Sequence, residues 1–245
     1  MSDGVSIGNL TGSNINVGGS GSTNQIIGSP SAAEEAPRRA GSGPEHALYA
    51  FADIVGYSQL TARLQQASQD YLAGLLDEGI TEADVSPGRV TCQDQGDARM
   101  MKFPSDADAG KVLAVMPRFL NEELLERNQD MAPHARTRIR IAFTMGVSAP
   151  GATGLAGGAP IAVARLVNWG PFRHVMTAAA RAQVGVIIDN HLHEQYVRQR
   201  FRSDINPDDY IPARVSYADK GFDTQAWIKL FGYTGGQVAA LFAAG

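Results

Sequence analysis

Residues 46–58 read HALYAFADIVGYS, and this stretch decides the fold. His46 to Ile54 alternates strictly, which puts Tyr49, Phe51 and Asp53 on one face of a β-strand. Gly56 ends the strand. Downstream, Tyr57, Leu60, Leu64, Ala67, Tyr71 and Leu75 recur at helical spacing and predict a long amphipathic helix. Pro87-Gly88 marks a turn. RVTCQ and ARMMKF, within residues 89–103, then read as two strands joined tightly around Asp94 to Asp97. Asp106 to Asn128 predicts a second helix with an apolar stripe that includes Val112, Met116 and Leu120 and a bend at Pro117.

Arg138 to Val147 alternates as a strand, and residues 149–160 form a Gly/Ala/Pro loop. Helical pattern follows over Ala162 to Trp169 and, after a break, Phe172 to Arg181. Val184 to Ile188 is a continuous apolar run, as in a buried strand. His191 to Gln199 predicts a short helix, with His191 and His193 as exposed imidazoles at its start. Arg214 to Tyr217 and Ala226 to Phe231 close the sheet. The order β-α-β-β-α-β with an extension predicts an α+β, ferredoxin-like domain over residues 46–233, a mainly antiparallel sheet flanked by helices.

Residues 1–30 are rich in Gly, Ser and Asn, with Val5, Ile7, Ile15 and Val17 at strand spacing around Thr11-Gly12-Ser13. They read either as a disordered leader or as short β hairpins for self-association. Residues 31–45 form a Pro/Ala/Ser linker, and 234–245 an apolar C-terminal tail.

Composition excludes several functions. Of the 245 residues 44% are apolar and 19% charged, so a packed core is expected. The net charge of −4 argues against a nucleic-acid groove. Cys92 is the one cysteine, and no apolar run approaches membrane-span length, so a cytoplasmic protein is expected.

Four segments resemble the class III adenylate and guanylate cyclases in order and interval. Phe51-Ala-Asp53-Ile54-Val-Gly56-Tyr57-Ser58 resembles the first metal-binding motif. Gln95-Gly96-Asp97 with Phe103-Pro104-Ser105 resembles the second. RIRIAFTMGV, residues 138–147, resembles the strand that usually reads Arg-Ile-Gly-Ile-His-Thr-Gly, and Gly157 to Leu166 the Gly-rich segment ending in Ala-Arg-Leu. The resemblance implies two divalent ions, Mn²⁺ or Mg²⁺, held by Asp53, Asp97 and the Ile54 carbonyl. It implies Arg165 as the catalytic arginine, and a head-to-tail homodimer in which Gln93 and Arg165 face the metal pair of the other copy. Hard cations take oxygen ligands, and a metal pair stabilises the attacking and leaving oxygens of an in-line displacement.

The sequence departs from the family where Asn and Asp are usual. Aligned on Arg165, those positions hold Ile161 and Gly158. Losing one preorganised donor costs on the order of a hundredfold in rate; Arg99 and Asn168 are the candidate replacements. Gln93 stands where purine cyclases carry Lys or Glu. An amide both donates and accepts, so it suits uracil or cytosine as well as a purine. Tyr49, Phe51, Gln93 and Arg99 are thus the candidate substrate contacts. The pattern resembles the pyrimidine cyclases of bacterial antiphage (Pycsar) systems, which implies UTP converted to 3′,5′-cyclic UMP and a separate effector. The rival reading is a cyclase-like module that binds nucleotide or protein without turnover.

Overall fold

The computed structural model describes residues 43–152 and 154–244. Segment 1–30 and most of the linker, with the alternatives raised for them, lie outside the described residues.

Strand β1, Glu45–Ile54, is buried from Ala47 to its end. Its alternation separates two apolar layers. Leu48, Ala50, Ala52 and Ile54 face one core, Tyr49 and Phe51 the other. Helix α1, Ala62–Glu82, covers the first face, after a 3₁₀ turn at Tyr57–Gln59 that takes up the start of the expected helix. Strands β2, Thr91–Asp94, and β3, Ala98–Lys102, form the expected hairpin. Helix α2, Ala109–Gln129, packs beside α1 and runs continuously through the buried Pro117. Gly79 lets the two helices close, since a Cβ there would lie 3.2 Å from both Leu120 and Met116.

Strand β4, Ile139–Gly151, is longer than expected, and the supposed loop after it folds back as β5, Gly154–Ala156. Gly157 then turns the chain with φ +142°. A Cβ there would meet the Val147 carbonyl at 2.7 Å, so the position requires glycine. Helices α3, Gly158–Val167, and α4, Gly170–Ala178, cross to β6, Val184–Asp189, which pairs parallel with β4. A short turn α5, Asn190–Leu192, runs into a π-helical turn, His193–Val197. Strands β7, Ile211–Tyr217, and β8, Phe222–Leu230, complete a sheet of order β2-β3-β1-β4-β6-β8-β7, every neighbouring pair except β4–β6 being antiparallel. The first four positions of that order are the ferredoxin-like core.

The C-terminal segment expected as a tail forms helix α6, Gly235–Ala243, opened by a Thr234/Gln237 capping box. Val238 is buried and Phe242 stacks on Trp169, so this helix belongs to the domain. Among the described residues no helix is long and apolar enough to cross a membrane.

His193 corrects the expectation of an exposed imidazole. It is 4% exposed, and its ring lies 3.6 Å from that of Trp227 at an interplanar angle of 5°. Neither ring nitrogen has a hydrogen-bond partner among the described residues. Burial holds its pKa below the usual imidazole value, against the upward pull of Glu194. The unfolded chain takes up a proton near pH 6.5 that the folded chain refuses. Stability is therefore expected to fall as pH drops through that value and on to the lower folded pKa, where the loss levels off. Urea titrations at pH 7.5 and pH 5.5 check this, and the His193→Phe variant is expected to show a smaller difference between them.

Candidate functional site

Asp53 is the penultimate residue of β1, and strand register sets its neighbours. It pairs with Ala98 on β3 and with Arg140 on β4. Directly opposed side chains on one face are within reach of each other. Arg140 Nε donates to Asp53 Oδ1 at 2.8 Å and its Nη2 to Oδ2 at 2.6 Å. Both residues are buried, at 6% and 4% exposure, so the fork-shaped contact is largely shielded from water. Burial pushes the Asp53 carboxyl above its ordinary value, Arg140 pulls it down, and the charge of Asp97 pushes it up again.

Asp97 reaches the same place from the β2–β3 hairpin. Gly96, at φ +71°, turns the chain, and Gln95 N–H donates to the Ala98 carbonyl at 2.7 Å. Ile54 N–H donates to the Asp97 carbonyl at 3.1 Å, which ties the hairpin to the end of β1. Asp53, Asp97, Arg140 and Arg173 all line one cavity of about 410 Å³, together with Phe51 and Ile54. That volume suits a small ligand.

A second cavity, about 530 Å³, lies beside the first and shares Gln95 and Asn168 with it. Gln93, Arg165, Ile161, Tyr217 and Lys220 line this one. Gln93 lies against Gly154 so closely that a Cβ there would come within 2.3 Å of its Nε2. The guanidinium of Arg165 sits 5.0 Å from the centre of the Phe222 ring, and Tyr217 Oη donates to the Arg165 carbonyl at 3.0 Å. Asn168 caps α3, and its Nδ2 donates to the Ala164 carbonyl at 3.0 Å.

The expected site residues therefore divide three ways. Asp53, Ile54, Asp97 and Phe51 share the first cavity, and Gln93 and Arg165 share the second. Two others lie elsewhere. Tyr49 is fully buried, its hydroxyl donates to Ser148 Oγ at 2.7 Å, and it sits in the core and lines neither cavity. Arg99 lies on the α1 side of β3, held by Asp94 at 2.6 Å and Asp77 at 3.0 Å. Strand alternation turns it away from Gln93 and Ile161, so it cannot replace the missing Asn. Sequence reasoning missed Arg140, Arg173, Tyr217 and Lys220. A cation facing inward in the apolar strand RIRIAF signalled Arg140, since a buried arginine needs a partner. Arg173, Tyr217 and Lys220 carry no local pattern.

The donor set fits divalent metal. Two carboxylates in one cavity, Asp53 near the end of β1 and Asp97 in the adjoining β2–β3 hairpin, suit a hard cation, provided that Arg140 releases Asp53.

The fold is that of the class III adenylyl and guanylyl cyclase domains, a mainly antiparallel sheet flanked by helices. Among solved structures the chain is similar to the guanylyl cyclase Cya2, at 14% identity and TM-score 0.53 over 78% of this chain and 93% of that one. It is similar too to an adenylate/guanylate cyclase/hydrolase from Silicibacter pomeroyi, at 15% identity and TM-score 0.55 over 78% and 99%. A bacterial light-regulated adenylyl cyclase matches at 12% identity and TM-score 0.54, over 82% of this chain and 58% of that one. No family model matches the sequence, and neither does any curated protein.

Proposed function

We propose that this domain is a metal-dependent nucleotide cyclase acting on a pyrimidine triphosphate, UTP ahead of CTP, to give the 3′,5′-cyclic nucleotide and pyrophosphate. The observation that carries this reading is the convergence of Asp53 and Asp97 in one cavity with Arg140 and Arg173, at the joined ends of β1 and β3. Asp53 and Asp97 would hold the ions. When bound, these supply charge stabilisation to the attacking and leaving oxygens. The 3′-oxygen bonds to the α-phosphorus, the bond to the bridging oxygen breaks, and pyrophosphate leaves with that electron pair; the hydroxyl proton goes to solvent. Arg140, freed from Asp53, turns its two donors to the phosphate oxygens.

Gln93 reads the base edge through its amide, beside the apolar walls of Met100 and Leu155. In a head-to-tail homodimer the second cavity of one copy, with Gln93 and Arg165, faces the first cavity of the other. Ile161 and Val147, exposed at 52% and 46%, supply apolar surface for that contact. A role in antiphage signalling through a separate effector belongs to this proposal and rests on the resemblance of the motifs.

Purified protein incubated with ATP, GTP, CTP or UTP and Mn²⁺ is expected to yield cyclic UMP by mass spectrometry. Absence of any cyclic product would overturn the reading. One alternative has observations of its own. Ile161 in place of Asn, together with the closed Asp53–Arg140 pair, favours a domain that binds nucleotide without turning it over. Tight UTP binding with no product would select that alternative.

A further inference from the structure

We infer that Arg173 binds the phosphate chain of the nucleotide within its own subunit, as a second guanidinium beside Arg140. The inference rests on the nucleotide-site reading above, and it assigns a role to helix α4. That helix starts at Gly170-Pro171, directly after α3, and is fixed by Phe172, Val175 and Met176, each at most 1% exposed. Anchoring those three positions in the core leaves Arg173 on the outer side of the helix. There it lines the cavity that holds both carboxylates.

The state of the side chain contrasts with that of Arg140 in the same cavity. Arg140 is held by the Asp53 carboxylate, as Arg99 is by Asp94 and Asp77 elsewhere on the sheet. Among the described residues the Arg173 guanidinium has neither a hydrogen-bond partner nor a carboxylate within salt-bridge range, although it shares a cavity with two. A planar fork of donors, unpaired and in a cavity that also holds two carboxylates, suits a polyphosphate arriving with its counter-cations. It also answers the loss at Ile161. That side chain, in the second cavity, offers no donor, whereas Arg173 brings a charged one to the first cavity, beside the carboxylates of its own chain.

The test compares wild type, Arg173→Ala and Arg173→Lys by calorimetry with Mn²⁺. The ligands are 3′-deoxy-UTP, which lacks the attacking hydroxyl, pyrophosphate, and UMP. Arg173→Ala is expected to weaken 3′-deoxy-UTP and pyrophosphate by about tenfold or more, the usual worth of a hydrogen bond to a charged group. UMP should change by less than about threefold, Arg173→Lys should recover part of the loss, and the thermal midpoint should not move. Equal binding of 3′-deoxy-UTP by wild type and Arg173→Ala would overturn the inference while leaving the nucleotide site intact. If the wild type binds neither 3′-deoxy-UTP nor pyrophosphate, the site reading and the inference fall together.

Discussion

Asp97→Asn is expected to lower cyclic-nucleotide formation by at least about a thousandfold while leaving the thermal midpoint within a few degrees. On the proposed function, the loss would come from removing one of two anionic metal ligands from a site that works by charge stabilisation. The fold is spared because Asp97 contributes to structure through its backbone carbonyl, which accepts from Ile54 N–H, and an asparagine keeps that bond. Asp53→Asn is a poorer test. It takes the carboxylate from a buried ion pair and confounds lost activity with lost stability. Initial rates in Mn²⁺, measured beside thermal melts of both variants, separate the two effects. Activity within about tenfold of wild type in Asp97→Asn would remove that residue from the metal site.

The second large effect falls on stability. Arg140→Ala leaves the Asp53 carboxylate buried and unpaired, and breaking a buried pair by removing one partner costs about 3–5 kcal/mol. For a domain of this size that lowers the melting temperature by roughly 10 °C. Replacing both partners with apolar residues, as in Asp53→Leu with Arg140→Met, is expected to restore most of the loss, because the cost lies in the stranded charge. The coupling in this double-mutant cycle should exceed about 2 kcal/mol. Purely additive losses would mean that the two side chains do not depend on each other in the folded protein.

The same pair explains what could be read in the sequence and what could not. Alternation in HALYAFADI placed Asp53 on the correct face, and the apolar stripes of α1 and α2 located the first core. Those signals are local, since a strand or helix repeats its pattern along itself. Arg140 was visible as a charge in an apolar strand, but its partner depends on register between β1 and β4, and register is a tertiary property. The β4–β5 hairpin hid in Gly- and Ala-rich sequence, where a strand has few side chains to show. His193 looked like an exposed helix start because its cover, Trp227, arrives from β8. Arg173 carries no local signal because only the tertiary placement of α4 brings it to the cavity of Asp53 and Asp97. Tyr49 and Arg99 were misplaced for related reasons. Tyr49 shares a face with Asp53 but lies deeper under α3, and Arg99 follows the alternation of β3 to the opposite side.

On the proposed function, Asp53 gives up Arg140 for a cation when nucleotide binds. Crystals grown with Mn²⁺ and 3′-deoxy-UTP, measured at the manganese absorption edge, test it directly. An anomalous peak within coordination distance of both Asp53 and Asp97, with Arg140 turned from Asp53 to a phosphate oxygen, is the expected result. Bound nucleotide with Arg140 still paired to Asp53, and no manganese between the carboxylates, would contradict the metal-dependent site and favour binding without turnover.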